Sequence, residues 1–299
     1  MLTALDTALK PALKTVMLGP NEIYYRQLGE GFPLLHIHGW GGSSLYWHHT
    51  MENLVDVRTS YALDLPGFGK SPPLSETGGA ERMVQLIIDF ADAMGLEQFD
   101  LNGHSFGGAI SVLLATHYPE RVRRLILTCY GLLATDFDQY IAESIYINLF
   151  PLMKHWHPWV SLLEPAEMLR YAILEQGNLN PLVPWSIALP FFYRVPTDTT
   201  MLRLGYNEYI TMKQVTSFES MISLGTPRLR ASTICIPQPT LLIGGQQDYI
   251  VIPGRLRRTA ALIPNSRLMW IEECGHVPMI ERAEIYADTM RVFLEDPAA

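Results

Sequence analysis

Residues 103–107 read Gly-His-Ser-Phe-Gly, a Gly-x-Ser-x-Gly pentapeptide that offers Ser105 as a nucleophile. A short apolar run at 99–102 comes before it, and apolar residues at helical spacing follow from 109 to 115. We therefore expect Ser105 at a sharp strand-to-helix turn, where the glycines on either side tolerate a tight backbone. The hydroxyl would then stand clear of a sheet, within reach of a base.

A serine nucleophile needs a base, and the base needs an orienting acid. His276 follows the apolar run 268–271 through Gly275, and Asp248 follows the run 240–243 through two glycines. The chain order is Ser, Asp, His, as an imidazole bridging a hydroxyl and a carboxylate on one sheet requires. Asp136, which follows the preceding apolar run, remains an alternative acid.

Acyl transfer also requires donors for the negative oxygen of a tetrahedral intermediate, and two backbone amides are usually sufficient. The N–H of Phe106, next to the nucleophile, is the first candidate. The second is the N–H of Trp40, because the glycine-rich segment 38–42 lets the backbone approach a substrate. The sequence therefore predicts an oxyanion hole made by Trp40 and Phe106.

Strand-like runs and helical patterns alternate over most of the chain, which predicts a parallel sheet covered on both faces and reactive loops at the carboxyl ends of its strands. The runs are 22–28, 33–37, 60–63, 99–101, 125–128, 240–243 and 268–271. The gap between the runs 125–128 and 240–243 is too long for a crossover. We therefore predict a core of 1–131 and 231–299 with an inserted helical cap at 132–230. The substrate-binding residues stay unassigned, with the cap aromatics between Phe137 and Phe218 as candidates.

Composition restricts the classes of partner. A chain of 299 residues with 48% hydrophobic and 17% charged residues fits one large α/β domain with an insertion. A net charge of -8 argues against nucleic acid. No run of about 18 uncharged apolar residues and no secretory signal stand out, so we expect no integral membrane segment and a cytoplasmic location. Three cysteines fit reduced thiols, and no metal site is expected.

Basic residues are scattered apart from Arg121, Arg123 and Arg124, beside the run 125–128. The simplest interpretation of this group is a solvated entrance to a strand.

Five segments taken in order resemble the α/β-hydrolase superfamily: 38–42 (His-Gly-Trp-Gly-Gly), 64–71 (Asp-Leu-Pro-Gly-Phe-Gly-Lys-Ser), 103–108 (Gly-His-Ser-Phe-Gly-Gly), 244–248 (Gly-Gly-Gln-Gln-Asp) and 275–276 (Gly-His). The resemblance implies an eight-stranded, mostly parallel sheet with helices on both faces. It also implies a catalytic triad of Ser105, Asp248 and His276, an oxyanion hole at Trp40 and Phe106, and no cofactor.

Members of the superfamily that open epoxides or displace halides carry Asp where Ser105 stands, so those activities are disfavoured. Members that cleave carbon-carbon bonds commonly carry an aromatic residue after the catalytic histidine, where this chain has Val277. The resemblance thus favours a serine hydrolase of the carboxylesterase class. It would act on an ester or thioester of a small-to-medium apolar acyl group through an acyl-enzyme, as a monomer or homodimer.

Two sets of alternatives stay open. The same triad could serve a carbon-carbon bond hydrolase, a lactonase, an acyltransferase or a cofactor-free perhydrolase. A ligand receptor with slow turnover is the alternative outside enzymes.

Overall fold

The structure is a computed structural model that describes residues 10–76, 78–133, 135–156, 159 and 164–297. Eight strands form one sheet in the order β1-β2-β4-β3-β5-β6-β7-β8. They are β1 Ala12–Leu18, β2 Asn21–Leu28, β3 Phe32–Ile37, β4 Arg58–Leu63, β5 Phe99–His104, β6 Val122–Thr128, β7 Thr240–Gly245 and β8 Ser266–Ile271.

Strands β1 and β2 pair antiparallel, β2 pairs antiparallel with β4, and the other neighbours pair in parallel. This confirms the predicted class, an eight-stranded and mostly parallel α/β sheet. Because six parallel strands share one direction, their carboxyl ends open at one edge of the sheet.

Helices surround the sheet. They are α1 His48–Asn53, α2 Ala80–Ala93, α3 Phe106–His117, α4 Asp136–Trp156, α5 Glu164–Glu175, α6 Leu182–Ala188, α7 Thr199–Thr211, α8 Gln214–Ser223, α9 Pro227–Ile234, α10 Pro253–Leu262, α11 Pro278–Glu281 and α12 Ala283–Glu295. Two short 3₁₀ helices lie at Ser44–Trp47 and Gln176–Leu179.

The core has one layer on each face of the sheet. Strand side chains point alternately to the two faces, so Leu34 and Leu35, adjacent in β3, join different layers. The first layer packs α2 and α3 against the sheet, with Phe90 and Ile110 fully buried. The second packs α1 and α12 around Trp47. A sheet buried on both faces holds the strand ends, and hence the loops after them, in fixed positions.

Strand β1 was not among the seven predicted runs. Most of its residues are exposed and it pairs only with β2, at the edge of the sheet. Only the end of β1 packs into the core, through Val16 and Leu18, and a strand exposed over most of its length needs no alternating apolar pattern.

Helices α4 to α9 lie between β6 and β7, where the cap is predicted. Helix α9 spans the predicted boundary at residue 230 and contacts α3 of the core. The division into core and cap stays a prediction.

Arg123 and Arg124 lie near the start of β6, and for these two residues the interpretation as a solvated strand entrance is wrong. The guanidinium of Arg123 donates to both oxygens of Asp100, at 2.8 and 2.6 Å. Asp100 is fully buried and also accepts from Nε of buried Arg58 at 2.9 Å. Arg124 is buried as well. The local sequence around Arg123 could not reveal this ion pair, because Asp100 lies in the neighbouring strand β5.

Within the described ranges, no helix is long and apolar enough to cross a lipid bilayer.

Candidate active site

Ser105 lies at the turn between β5 and α3, at the carboxyl end of β5. Its φ of 51° is in a region that L-residues rarely adopt. The flanking glycines are required by close backbone contacts, because a Cβ on Gly103 would clash with the carbonyl of Gly107, and a Cβ on Gly107 with the carbonyl of Ile37. The pentapeptide therefore forms the sharp turn that its composition predicts.

His276 lies in the turn after β8 and faces Ser105. Its Nε2 is 3.0 Å from Ser105 Oγ, and its Nδ1 is 2.8 Å from Asp248 Oδ2. With the proton on Nδ1 donated to the carboxylate, Nε2 is free to accept the serine proton. The other oxygen of Asp248 accepts the N–H groups of Ile250 and Val251 at 2.8 and 2.9 Å, which fixes the carboxylate. Three side chains remote in sequence thus meet at one edge of the sheet.

Asp136, the alternative acid, lies elsewhere. It begins α4 on the surface, and its carboxylate lies 2.9 Å from Arg258 and 3.1 Å from Arg230. Asp248, and not Asp136, contacts Nδ1 of His276, so the geometry favours Asp248 as the orienting acid.

His104, inside the pentapeptide, supports His276 from behind. Its Nε2 lies 2.8 Å from the carbonyl oxygen of His276, and the two ring centroids are 4.9 Å apart. Burial and the neighbouring His276 hold the pKa of His104 well below its usual value. The neutral ring therefore donates Nε2–H to that carbonyl and steadies the backbone of the base.

The two predicted oxyanion donors lie in different elements, one at the start of α3 and the other in the loop after β3. Phe106 is the first residue of α3, where the N–H has no acceptor within the helix. Trp40 lies in a turn closed by the N–H of Gly42, which donates to the carbonyl of Gly39 at 3.1 Å, and among the described residues no backbone acceptor is recorded for the Trp40 N–H. The indole of Trp40 donates to the carbonyl of Ser217 at 3.2 Å, which anchors this loop to α8.

The loop after β3 comes directly against the nucleophile. A Cβ on Gly39 would lie 2.7 Å from Nδ1 of His104 and 3.2 Å from Cβ of Ser105. Only glycine therefore allows the loop to approach this closely.

Two buried polar side chains, His38 and Asp64, make hydrogen bonds around this loop. His38 Nδ1 lies 2.8 Å from the carbonyl of Gly39, and its Nε2 accepts the N–H of Leu65 at 3.0 Å. Asp64 accepts the N–H of Ser44 at 2.7 Å. His38 and Asp64 each come directly after a buried strand. A polar residue at that position is the sequence feature that could have identified them as part of the site.

Three potential metal ligands also converge at this edge. Donor atoms of His104, Cys129 and His276 lie within 4.8 Å of one another. Burial raises the pKa of the Cys129 thiol well above its usual value, whereas a metal requires the thiolate. Since His276 is already held by Ser105 and Asp248, the donor set suits proton transfer better than metal binding.

Comparison with known proteins assigns the family. A family model described as alpha/beta hydrolase fold matches residues 33–153. The chain is also 30% identical, over 283 residues, to the 2-hydroxymuconate semialdehyde hydrolase of Pseudomonas putida, and the match covers 91% of this chain and 90% of that protein. The chain belongs to the α/β-hydrolase superfamily. Membership indicates a hydrolase.

Two further relatives agree with this α/β-hydrolase assignment. The chain is 26% identical over 280 residues to Lipase 1 of Psychrobacter immobilis, which covers 91% of this chain and 80% of that protein. An esterase structure from Exiguobacterium antarcticum superposes with a TM-score of 0.74 and 18% identity, covering 96% of this chain and all of that one. At that identity, the structure supports the fold alone.

This α/β-hydrolase has a mainly apolar cavity of about 210 Å³ that is lined in part by Trp40, in the loop after β3, and by Val277, the residue after His276. Helices α6 and α7 contribute to its walls. Among the aromatic candidates between Phe137 and Phe218, four line the cavity: Phe191, Phe192, Tyr206 and Tyr209. Others are exposed: Phe137, Tyr140, Trp159 and Phe218.

Proposed function

We propose that the protein is a serine hydrolase that cleaves a carboxylic ester or thioester of a small-to-medium apolar acyl group. The supporting observation is the continuous hydrogen-bond chain from Ser105 Oγ through His276 to Asp248, at 3.0 and 2.8 Å. In this arrangement, Nε2 of His276 takes the hydroxyl proton as Ser105 Oγ attacks the carbonyl carbon. The N–H groups of Phe106 and Trp40 would hold the negative oxygen of the intermediate.

His276 then gives its proton to the leaving alcohol or thiol, and the acyl group stays on Ser105. Water that loses a proton to His276 attacks this acyl-enzyme, the carboxylic acid leaves, and Ser105 regains its proton. Asp248 keeps the imidazole in the correct tautomer and stabilises its cationic form in both steps.

The proposed acyl site is the cavity beside Trp40 and Val277. Its volume of about 210 Å³ and its lining by Phe191, Phe192 and other apolar side chains support a small-to-medium apolar group. The cap at 132–230, over a core of 1–131 and 231–299, is part of the same proposal, because α6 and α7 supply much of the lining. A cytoplasmic location and a monomeric or homodimeric state are also proposed.

A second candidate is carbon-carbon bond hydrolysis on the same triad. The relative from Pseudomonas putida supports it, because a semialdehyde contains no ester. The lipase relative supports the first candidate by its name. Val277, after the base, is not the aromatic residue expected for the second.

The test is covalent labelling followed by a substrate panel. We expect a fluorophosphonate to modify Ser105, mapped by mass spectrometry, and a short-chain p-nitrophenyl ester to give a burst of p-nitrophenol. Ester, thioester, lactone and vinylogous 1,5-diketone substrates then separate the reactions. Turnover of the diketone alone would reject ester hydrolysis, and absence of both label and burst would reject the serine mechanism.

A further inference from the structure

Glu281, at the end of α11, binds the loop that carries His276. Its Oε2 accepts the N–H of Gly275, the residue before His276, at 2.8 Å. The same oxygen accepts the N–H of Tyr193 at 3.2 Å, and Oε1 accepts the N–H of Arg194 at 2.8 Å. One carboxyl group therefore joins the loop after β8 to the segment between α6 and α7.

These two segments also contact each other through their backbones. The N–H of His276 donates to the carbonyl of Phe191 at 2.7 Å. A Cβ on Gly275 would lie 2.6 Å from that carbonyl oxygen and 2.7 Å from the nitrogen of Tyr193, so only glycine allows the approach. The carbonyl of His276 is bound by His104 at 2.8 Å. Both backbone polar groups of His276 therefore have fixed partners.

The segment 191–194 is also part of the wall of the cavity. Phe191 and Phe192 line it, and the ring centroid of Phe191 is 6.2 Å from that of His276. The residue whose carbonyl binds the backbone of His276 thus also lines the proposed acyl site. The placement of the imidazole and the shape of the cavity therefore depend on the same short segment.

We infer that Glu281 is a positioning residue for the proposed hydrolysis, which holds the loop of His276 against the segment 191–194 and so keeps the imidazole between Ser105 and Asp248. The inference rests on the proposed function, because it takes His276 as the base. A carboxylate suits this position, since two oxygens with about four lone-pair sites can accept three N–H groups. Gln offers one accepting oxygen, and Ala offers none.

Loss of this carboxylate should be seen in the rate and not in substrate affinity. Glu281→Ala leaves three N–H groups without their acceptor, which frees the loop to move relative to the segment 191–194. A displacement of about 1 Å at a reacting group can cost about 10²-fold in rate. Because His276 transfers a proton in both acylation and deacylation, both steps slow together, and the KM of an acyl-enzyme mechanism stays unchanged. A defect in the cavity wall alone would raise KM instead.

The experiment measures initial rates of p-nitrophenyl butyrate hydrolysis by the wild type, Glu281→Ala and Glu281→Gln. We expect kcat to fall about 10²-fold in Glu281→Ala with KM unchanged, as displacement of the base implies. Glu281→Gln should recover about 10-fold of this loss, because its amide oxygen can still accept the two N–H groups that bind Oε2. If Glu281→Ala does not fold, Glu281→Asp replaces it, since it keeps the charge but withdraws the carboxylate by one methylene.

Glu284→Ala is the matched control, because Glu284 is an exposed acid in the first turn of α12. It removes the same charge three residues further along the chain and should keep the wild-type kcat. Wild-type kcat in Glu281→Ala, or a loss confined to KM, would overturn the inference. An equal loss in Glu284→Ala would do the same, because the effect would then belong to charge and not to the three hydrogen bonds.

A measurement without substrate separates this inference from the proposed function. The proton shared by Nδ1 of His276 and Asp248, 2.8 Å apart, gives a low-field NMR signal while the bond is protected from exchange with water. We expect this signal in the wild type, Glu281→Gln and Glu284→Ala, and its loss in Glu281→Ala that circular dichroism shows to be folded. Loss supports the inference even if no ester in the panel is cleaved. Persistence contradicts it even if the wild type is an active esterase.

Discussion

At the scale of single residues, Ser105, the proposed nucleophile, is held in a backbone conformation that its own Cβ disfavours. Ser105 has φ 51° and ψ -113°, and such a backbone costs about 1–3 kcal/mol for a residue with a side chain. The surrounding contacts maintain it, since the Ser105 N–H donates to the Thr128 carbonyl at 2.9 Å and the N–H of Gly108 donates to the Ser105 carbonyl at 2.9 Å. The strained backbone of this turn destabilises the folded chain, but it holds the Ser105 hydroxyl where His276 can reach it.

This strain predicts different effects for two inactive variants. Ser105→Ala keeps a Cβ and should unfold at nearly the wild-type temperature. Ser105→Gly removes the Cβ and so relieves the backbone strain, but glycine also gives the unfolded chain more entropy, which lowers stability. Because we expect the first effect to be larger, the free energy of unfolding of Ser105→Gly should be about 1 kcal/mol above that of Ser105→Ala. Urea denaturation at neutral pH measures the difference. A glycine variant less stable than the alanine variant would show that the backbone is not strained.

The orienting acid gives a second prediction for residues. Asp248→Asn should lower kcat by about 10⁴-fold, because an amide N–H facing Nδ1 of His276 favours the tautomer whose Nε2 is already protonated. Asp136→Asn is the matched control and should keep near wild-type kcat, since its carboxylate lies against Arg258 and Arg230. Initial rates on a p-nitrophenyl ester measure both. Equal losses in the two variants would count against the assignment of the acid.

At the scale of elements, α8 connects the helical segment to the core. Glu219 and Ser223 lie one turn apart on α8 and face the start of α2. Glu219 Oε2 accepts the N–H of Gly78 at 2.8 Å, and Ser223 Oγ accepts the N–H of Ala80 at 3.0 Å. These bonds satisfy donors at a helix start where Gly79, the N-cap, has no side chain to do so.

The buried Glu219 makes stability depend on pH. Burial raises its pKa from 4.5 to about 7. Between pH 4.5 and about pH 7, Glu219 is protonated in the folded state and ionised in the unfolded state. Its contribution to stability is therefore fully present below about pH 4.5 and is lost as the pH rises through about 7. The Glu219→Gln variant has no group at this position that ionises, so it does not lose this contribution. The difference in free energy of unfolding, variant minus wild type, should therefore increase from pH 4.5 to about pH 7. Denaturant unfolding at several pH values measures it.

Ser223→Ala is the control for this prediction, because it removes a neighbouring bond to the same helix start without removing a titratable group. It should lower stability by about 1 kcal/mol at every pH. The free energy of unfolding of Glu219→Gln, relative to the wild type, should change with pH, whereas that of Ser223→Ala should not. If neither changes with pH, the carboxyl group of Glu219 does not titrate in this window.

Elements also show what could be predicted from sequence. The turn around Ser105 and the strand ends before Asp248 and His276 have local patterns, because glycine and apolar runs are required there by backbone sterics and burial. Strand β1 lacked such a pattern because it is an exposed edge. Which residues of α7 line the cavity depends on how α7 packs over the loop after β3, and no local pattern in the sequence records that packing.

At the scale of the whole molecule, the two ends of the sheet have different roles. The carboxyl ends of β3, β5, β7 and β8 hold the loops with Trp40, Ser105, Asp248 and His276. At the opposite end, β4, β5 and β6 begin with the buried cluster in which Asp100 binds Arg58 and Arg123. The Arg58 guanidinium also donates to the carbonyl of Leu294 in α12 at 2.6 Å, so this cluster joins three strands to a helix.

This separation predicts that stability can be lost without loss of chemistry. Asp100→Ala leaves the buried Arg58 and the half-buried Arg123 without their shared carboxylate, which should cost about 3–5 kcal/mol of stability. Urea denaturation measures that loss, while the burst of p-nitrophenol per folded molecule should stay at the wild-type value well below the melting temperature. Asp92→Asn is the control, because Asp92 pairs with Arg121 on the surface and should cost less than about 1 kcal/mol. A reduced burst in folded Asp100→Ala would mean that the cluster also positions the strand ends where Ser105 lies.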